Sequence, residues 1–154
     1  MGTFELPTDL LFNRGVVRDP VDYARTRGVA GWLCLTGDEF AAMPGGISYA
    51  EVERAVEESA QVVSDPPRTL NLDLARQHVA ALDRLPRPAL VTCRTGPRAS
   101  AVAYMYAGLR NNALADDVLA AADRDQAPFC PFPEYREWLR ASIETLRSEK
   151  TDNR

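Results

Sequence analysis

The chain is poor in cysteine, has a single histidine and lacks any long hydrophobic run. Its three cysteines, Cys34, Cys93 and Cys130, are odd in number and show no C-x-x-C spacing, so neither a disulfide framework nor a zinc site is signalled. Free thiols fit a reducing compartment. No stretch approaches the ~20 apolar residues of a membrane span. The Met-Gly-Thr-Phe-Glu-Leu-Pro start lacks the basic and apolar regions of a signal peptide. A soluble, cytoplasmic protein without a membrane partner is expected. Lys and Arg are scattered and the net charge is -4, which leaves no footprint for nucleic acid.

What is present suits one domain. Hydrophobic residues make up 45% and charged residues 26% of 154, ordinary for a compact fold with one core across residues 1–154. Asp19-Pro20 offers an N-cap and a first-turn proline for a helix near 20–27, ended by Gly28. Val29 to Leu35 is nearly continuously apolar and predicts a strand covered on both faces. Ser48 and Glu51 make a capping box for a helix to about Ser59, with a short strand at Ala60 to Val63 after it. Ser64-Asp65-Pro66-Pro67 must be loop, because a residue before proline avoids helical geometry. Leu72, Ala75, Val79 and Leu82 lay one apolar stripe along a helix from about Asn71 to Leu85, stopped by Pro86 and Pro88. Ala89 to Thr92 reads as a strand, and Ala101, Val102, Met105, Tyr106 and Leu109 as the inner face of the helix after it. Two more helices are predicted at Leu114 to Ala122 and Glu134 to Leu146. This alternation predicts a three-layer α/β fold, a mainly parallel central sheet with helices on both faces, which binds ligands beyond the carboxyl ends of its strands.

Cys93 lies at such an end. A thiol reacts as thiolate, so it needs positive surroundings to ionise near neutral pH. The residues that follow can supply them. Gly96 lets the backbone turn its N–H groups inward, and the next helix adds the partial positive charge of its N-terminus. Arg98 carries a planar fork that can hold an oxyanion at two points. Cys93 is therefore the expected nucleophile and Arg98 its partner, with Arg94, Thr95, Gly96, Pro97, Ala99 and Ser100 as the anion-binding cradle. A strand-end cysteine is ordinarily inert packing; the arginine- and glycine-bearing junction sets this one apart.

The run Thr-Cys-Arg-Thr-Gly-Pro-Arg-Ala-Ser, residues 92–100, resembles the active loop of the β-lactamase-hydrolase-like phosphatase-like family, whose members are also described as rhodanese-type sulfurtransferases. A looser likeness in element order runs from about residue 28 to 109. The resemblance implies a phosphatase-like or rhodanese-like fold, Cys93 as nucleophile, Arg98 as loop arginine, Arg94 and Gly96 as matches to the loop pattern, and no cofactor. Two features depart from the family. The first strand ends in Cys-Leu-Thr-Gly-Asp-Glu where members carry an arginine-proline turn, and Pro97 replaces a small or hydroxyl residue.

Phosphatases of this chemistry use Cys-x5-Arg, whereas Arg98 is the fifth residue after Cys93. The shorter spacing suggests a narrower cradle and favours a rhodanese-type sulfurtransferase passing sulfane sulfur through a Cys93 persulfide to a thiol acceptor. The alternative is a phosphatase forming a Cys93 phosphocysteine, with Asp65, 28 positions upstream, as general acid; a turn aspartate bonding nearby backbone is the plain reading of Asp65. A third reading is a non-catalytic anion-binding or redox-sensing module. In each enzymatic reading the partner is a small anionic substrate or thiol acceptor. His78 is expected on a solvated helix face, and Cys34 as strand packing with resolution of a persulfide as the sharper option. Cys130 falls in an aromatic seam with Phe129, Phe132, Tyr135 and Trp138 that docks the last helix, or, if exposed, forms a homodimer contact.

Overall fold

The computed structural model describes residues 4–152, so the first three residues of the stretch searched for a leader lie outside it. Four short strands, β1 (Leu10–Phe12), β2 (Gly31–Cys34), β3 (Glu58–Gln61) and β4 (Ala89–Thr92), form one sheet in the order β1-β4-β2-β3. All three pairings are parallel, which carries the predicted mainly parallel sheet to its limit. Parallel neighbours require crossovers, and seven helices are described: α1 (Pro20–Thr26), α2 (Asp38–Ala41), α3 (Tyr49–Ala55), α4 (Leu72–Arg84), α5 (Pro97–Arg110), α6 (Ala115–Arg124) and α7 (Pro133–Asp152).

Each face of the sheet has its own core, as the period-two alternation of strand side chains requires. Leu33, Leu35, Ala89 and Val91 join residues of α4, α5, α6 and α7 on one face. Trp32, Cys34 and Leu90 join Ala24, Phe40 and Val52 of α1, α2 and α3 on the other. β2 and β4 are buried at every position, and for that reason their sequences read as continuous apolar runs. The Trp32 indole N–H, buried with its ring, donates to Thr92 Oγ1 at 2.8 Å, which removes the cost of an unpaired buried donor.

α5 is the central helix, with every residue from Ala99 to Leu109 buried. It begins on Pro97, whose missing N–H and preset φ suit a first helical position. Gly108 admits close neighbours, because a Cβ there would press on Val118 and Ile143.

Several boundaries differ from the sequence expectation. The capping box of Ser48 and Glu51 is present, but α3 stops at Ala55 and β3 begins at Glu58, inside the stretch predicted to be helix. β3 is an edge strand exposed at both ends, so its polar sequence, Glu-Ser-Ala-Gln, carries no apolar signal. β1 and α2 are additions, three and four residues long, too short for a periodic pattern.

Candidate active site

β4 delivers Cys93 to the carboxyl edge of the sheet, and the chain then folds back over it into α5. The Cys93 side chain is nearly buried, and its Sγ accepts the Gly96 N–H at 3.1 Å and the Ala99 N–H at 3.4 Å. Gly96 makes the turn possible: its φ is 119°, and a Cβ there would run into the Asn13 carbonyl. Burial raises the Cys93 thiol above its ordinary range, against the pull of the amides of Ala99, Gly96, Thr95 and Arg98. The loop amides favour the thiolate, as the sequence reading expects, and burial opposes it.

Neither guanidinium is free to serve the sulfur. Arg94 directs Nε and Nη2 to Asp65 Oδ2 at 3.3 and 3.1 Å, and Nη2 also donates to the Pro66 carbonyl. Arg98 donates through Nη1 to the carbonyls of Ser64 and Arg68 and through Nε to the Tyr135 hydroxyl at 2.8 Å. The two-point grip expected of Arg98 is thus taken up by protein acceptors. No acceptor among the described residues bonds its Nη2.

Asp65 is fully buried at its side chain. Its Oδ1 accepts the Gly37 N–H at 3.2 Å and Arg68 Nη1 at 3.4 Å, while Oδ2 takes both Arg94 donors. Four donors fill the lone pairs of one carboxylate. Arg68 continues the chain outward to Glu39 at 3.3 Å. The Gly-Asp-Glu segment that departs from the family's arginine-proline turn therefore supplies both an amide and a carboxylate to this network.

A cavity of about 130 Å³ opens over the loop, lined by Asp65, Pro66, Cys93, Arg94, Thr95, Pro97, Arg98 and Tyr135. Cys93, Arg98, Asp65, Arg94, Thr95 and Pro97 are thus brought together as the sequence suggested. Gly96 and Ala99 contribute through their amides. Ser100 is turned away: it is buried, its hydroxyl donates to the Pro97 carbonyl and accepts the Phe129 N–H, and it is not a cradle residue.

Two residues at the site had no sequence signal. Tyr135, assigned to the aromatic seam, reaches the cavity from α7 and rests on Phe132 with ring centroids 5.7 Å apart. Asn13, directly after β1, bonds both backbone groups of Cys93. The solvated His78 of the sequence reading is corrected as well. It is wholly buried at the edge of the Trp138 ring, its Nε2 lies 2.8 Å from Ser64 Oγ, and desolvation lowers its pKa to about 3. The apolar stripe of α4 is wider than its aliphatic residues alone indicate. Ser64 Oγ also meets the Val62 carbonyl at 2.8 Å, so the single hydroxyl proton goes there and His78 donates from Nε2. Cys34 is buried, with Sγ 3.3 Å from Thr36 Oγ1, in the core of the opposite sheet face. Cys130 is half-buried against the main core, its thiol raised to about 11 by desolvation and by Asp123.

No protein-family model and no curated protein sequence matches the chain. Solved structures do. Tk-PTP in its active form superposes with a TM-score of 0.69 at 17% identity, covering 90% of this chain and 94% of its own. A candidate phosphatase (DUF442) from Shewanella putrefaciens gives 0.66 at 19%, covering 96% and 91%. PTPMT1 in complex with PI(5)P gives 0.63 at 13%, covering 96% and 97%. The chain has a phosphatase-like fold, shared with these structures.

These neighbours overturn the sulfurtransferase reading, and the geometry accounts for the error. The spacing from Cys93 to Arg98 does not measure the cradle. The ring is instead closed by the amide of Ala99, six residues after Cys93, and Arg98 points outward to Ser64, Arg68 and Tyr135.

Proposed function

We propose that this protein is a cysteine-dependent phosphomonoesterase, working through a phosphocysteine on Cys93. The observation that carries the reading is the convergence of loop amides on Cys93 Sγ at the N-terminus of α5. Such amides suit a tetrahedral phosphoryl oxyanion and the charge spread over its equatorial oxygens during transfer.

The chemistry runs in two displacements. Cys93, once deprotonated, attacks phosphorus; the S–P bond forms as the ester P–O bond breaks, and the departing oxygen needs a proton. Asp65 can give it only when a lone pair is free, and in the resting site all are occupied. An arriving phosphate competes for Arg94. As Arg94 turns to the dianion, Asp65 loses two of its four donors, takes up the proton that Cys93 gives up and passes it to the leaving oxygen. Water then attacks the phosphocysteine, its proton returns to Asp65, the S–P bond breaks and inorganic phosphate departs. Arg98 Nη2 is the donor left to steady the phosphoryl oxygens throughout. The cavity of about 130 Å³ admits the phosphoryl group and little more, so the alcohol portion of the substrate lies outside it.

The test is release of phenol from an aryl phosphate by the purified protein and by Cys93→Ser. Turnover in the wild type that is lost in the variant supports the reading; equal turnover in both would sink it.

A further inference from the structure

The β1–β4 ladder ends at Phe12 opposite Val91, and beyond it a side chain takes over the pairing. Asn13 Oδ1 accepts the Cys93 N–H at 3.2 Å, while Nδ2 donates to the Cys93 carbonyl at 3.1 Å and to the Gly15 carbonyl at 2.9 Å. Asn13 is completely buried, so each of these bonds replaces water that cannot reach it. The turn grips the loop again two residues on, where the Gly15 N–H donates to the Thr95 carbonyl at 2.8 Å. Between the two grips sits Gly96, packed against the Asn13 carbonyl.

Asparagine suits this place for reasons of chemistry. One carboxamide presents an acceptor and a donor to the two backbone groups of a single residue, as a neighbouring strand would. Aspartate has the shape without the donor. It would also set a negative charge beside the residue that must become a thiolate. The bond to the Cys93 N–H has a further consequence. That amide is withdrawn from the cradle, leaving those of Thr95, Gly96, Arg98 and Ala99 to face the sulfur and its incoming anion, the same four that pull on the thiol.

We propose that Asn13 is the positioning residue of the nucleophile: its neutral carboxamide holds Cys93 by both backbone groups, setting where Sγ stands beneath the cradle amides. The proposal rests on Cys93 being the nucleophile and extends that reading to a residue outside the loop.

Alkylation of Cys93 by iodoacetamide tests it, followed by peptide mass to separate Cys93 from Cys34 and Cys130, as a function of pH. Wild type, Asn13→Asp and Asn13→Ala are compared, with thermal unfolding measured alongside. Asn13→Asp is expected to move the alkylation profile upward by about one pH unit, slowing the neutral-pH reaction roughly tenfold. Asn13→Ala is expected to lower kcat on an aryl phosphate more than it changes KM. Should the alanine variant fail to fold, Asn13→Ser, which keeps a small polar group, carries the same readouts. Profiles that coincide with wild type in folded variants would overturn the proposal. Alkylation requires no phosphate ester, so a wild-type protein that releases no phosphate would end the phosphatase reading and leave this inference standing.

Discussion

On one flank of the cysteine loop, Asn13 and Gly15 hold Cys93 and Thr95 through hydrogen bonds between neutral groups; on the other, Glu39, Arg68, Asp65 and Arg94 form a chain of ion pairs. The neutral flank is buried at Asn13 and Cys93 and exposed at Gly15 and Thr95, and with no charge to screen or titrate its bonds keep their strength across pH and salt. The ionic flank is graded in exposure, from Asp65 fully buried, through Arg94 at 27%, to Glu39 at 47%, so it weakens outward as solvent screens it. The difference teaches a division of labour. Cys93 is fixed by neutral groups, and the Arg94 and Arg68 guanidiniums are held by a carboxylate, from which the proposed phosphate substrate would draw Arg94.

Removing what both flanks hold has the largest expected effect: Cys93→Ser should abolish phosphate release while leaving the unfolding midpoint near that of wild type, read by phenol release and thermal melting.

Breaking the ionic flank comes next. Asp65→Asn leaves two arginines short of their anion and should lower stability by up to about 3 kcal/mol, tempered because both guanidiniums are partly in water. Its effect on turnover sharpens the comparison. Proton donation predicts a loss that grows as the leaving group becomes more basic, across a series of aryl and alkyl phosphates. A loss uniform across the series would make Asp65 a clamp alone.

His78 backs the ionic flank through Ser64, and its effect is set by pH. Its folded pKa of about 3 lies below the 6.5 of an unperturbed histidine, so the unfolded chain binds the proton more readily. The stabilisation is complete above about 6.5 and declines as pH falls towards 3, by at most roughly 1.4 kcal/mol per pH unit. His78→Gln, which can still donate to Ser64 but does not titrate, should flatten the acid side of the melting profile. A wild-type and variant pair with parallel pH profiles would remove His78 from the account.

The smallest effect belongs to the outer end of the chain. Glu39→Gln should leave the melting midpoint nearly unchanged, and what change there is should vanish at high salt.

How legible the molecule was in its sequence depended on how local the signal was. β4, the loop and α5 were readable, because an apolar run, a glycine and a first-turn proline act within a few residues. β3 was misplaced, since an edge strand with a polar sequence has no pattern to show. Cys93, Arg98, Asp65 and Arg94 were found as a group, yet the bonds that define their roles were not. Which acceptor a guanidinium takes depends on Ser64, Arg68 and Tyr135, brought together by the fold from 30 or more positions away for the first two and the last alike. Asn13 had no signal, for an asparagine after a three-residue strand reads as a turn. The error on sulfur transfer came from counting residues to an arginine when the ring closes on an amide.

The most direct test of the central claim is to mix the protein with an aryl phosphate, quench in acid within a turnover and weigh the intact chain and its Cys93 peptide. The account predicts one phosphoryl group on the Cys93 peptide, absent from Cys93→Ser. Phosphate release with no adduct on Cys93, undiminished in the serine variant, would contradict it.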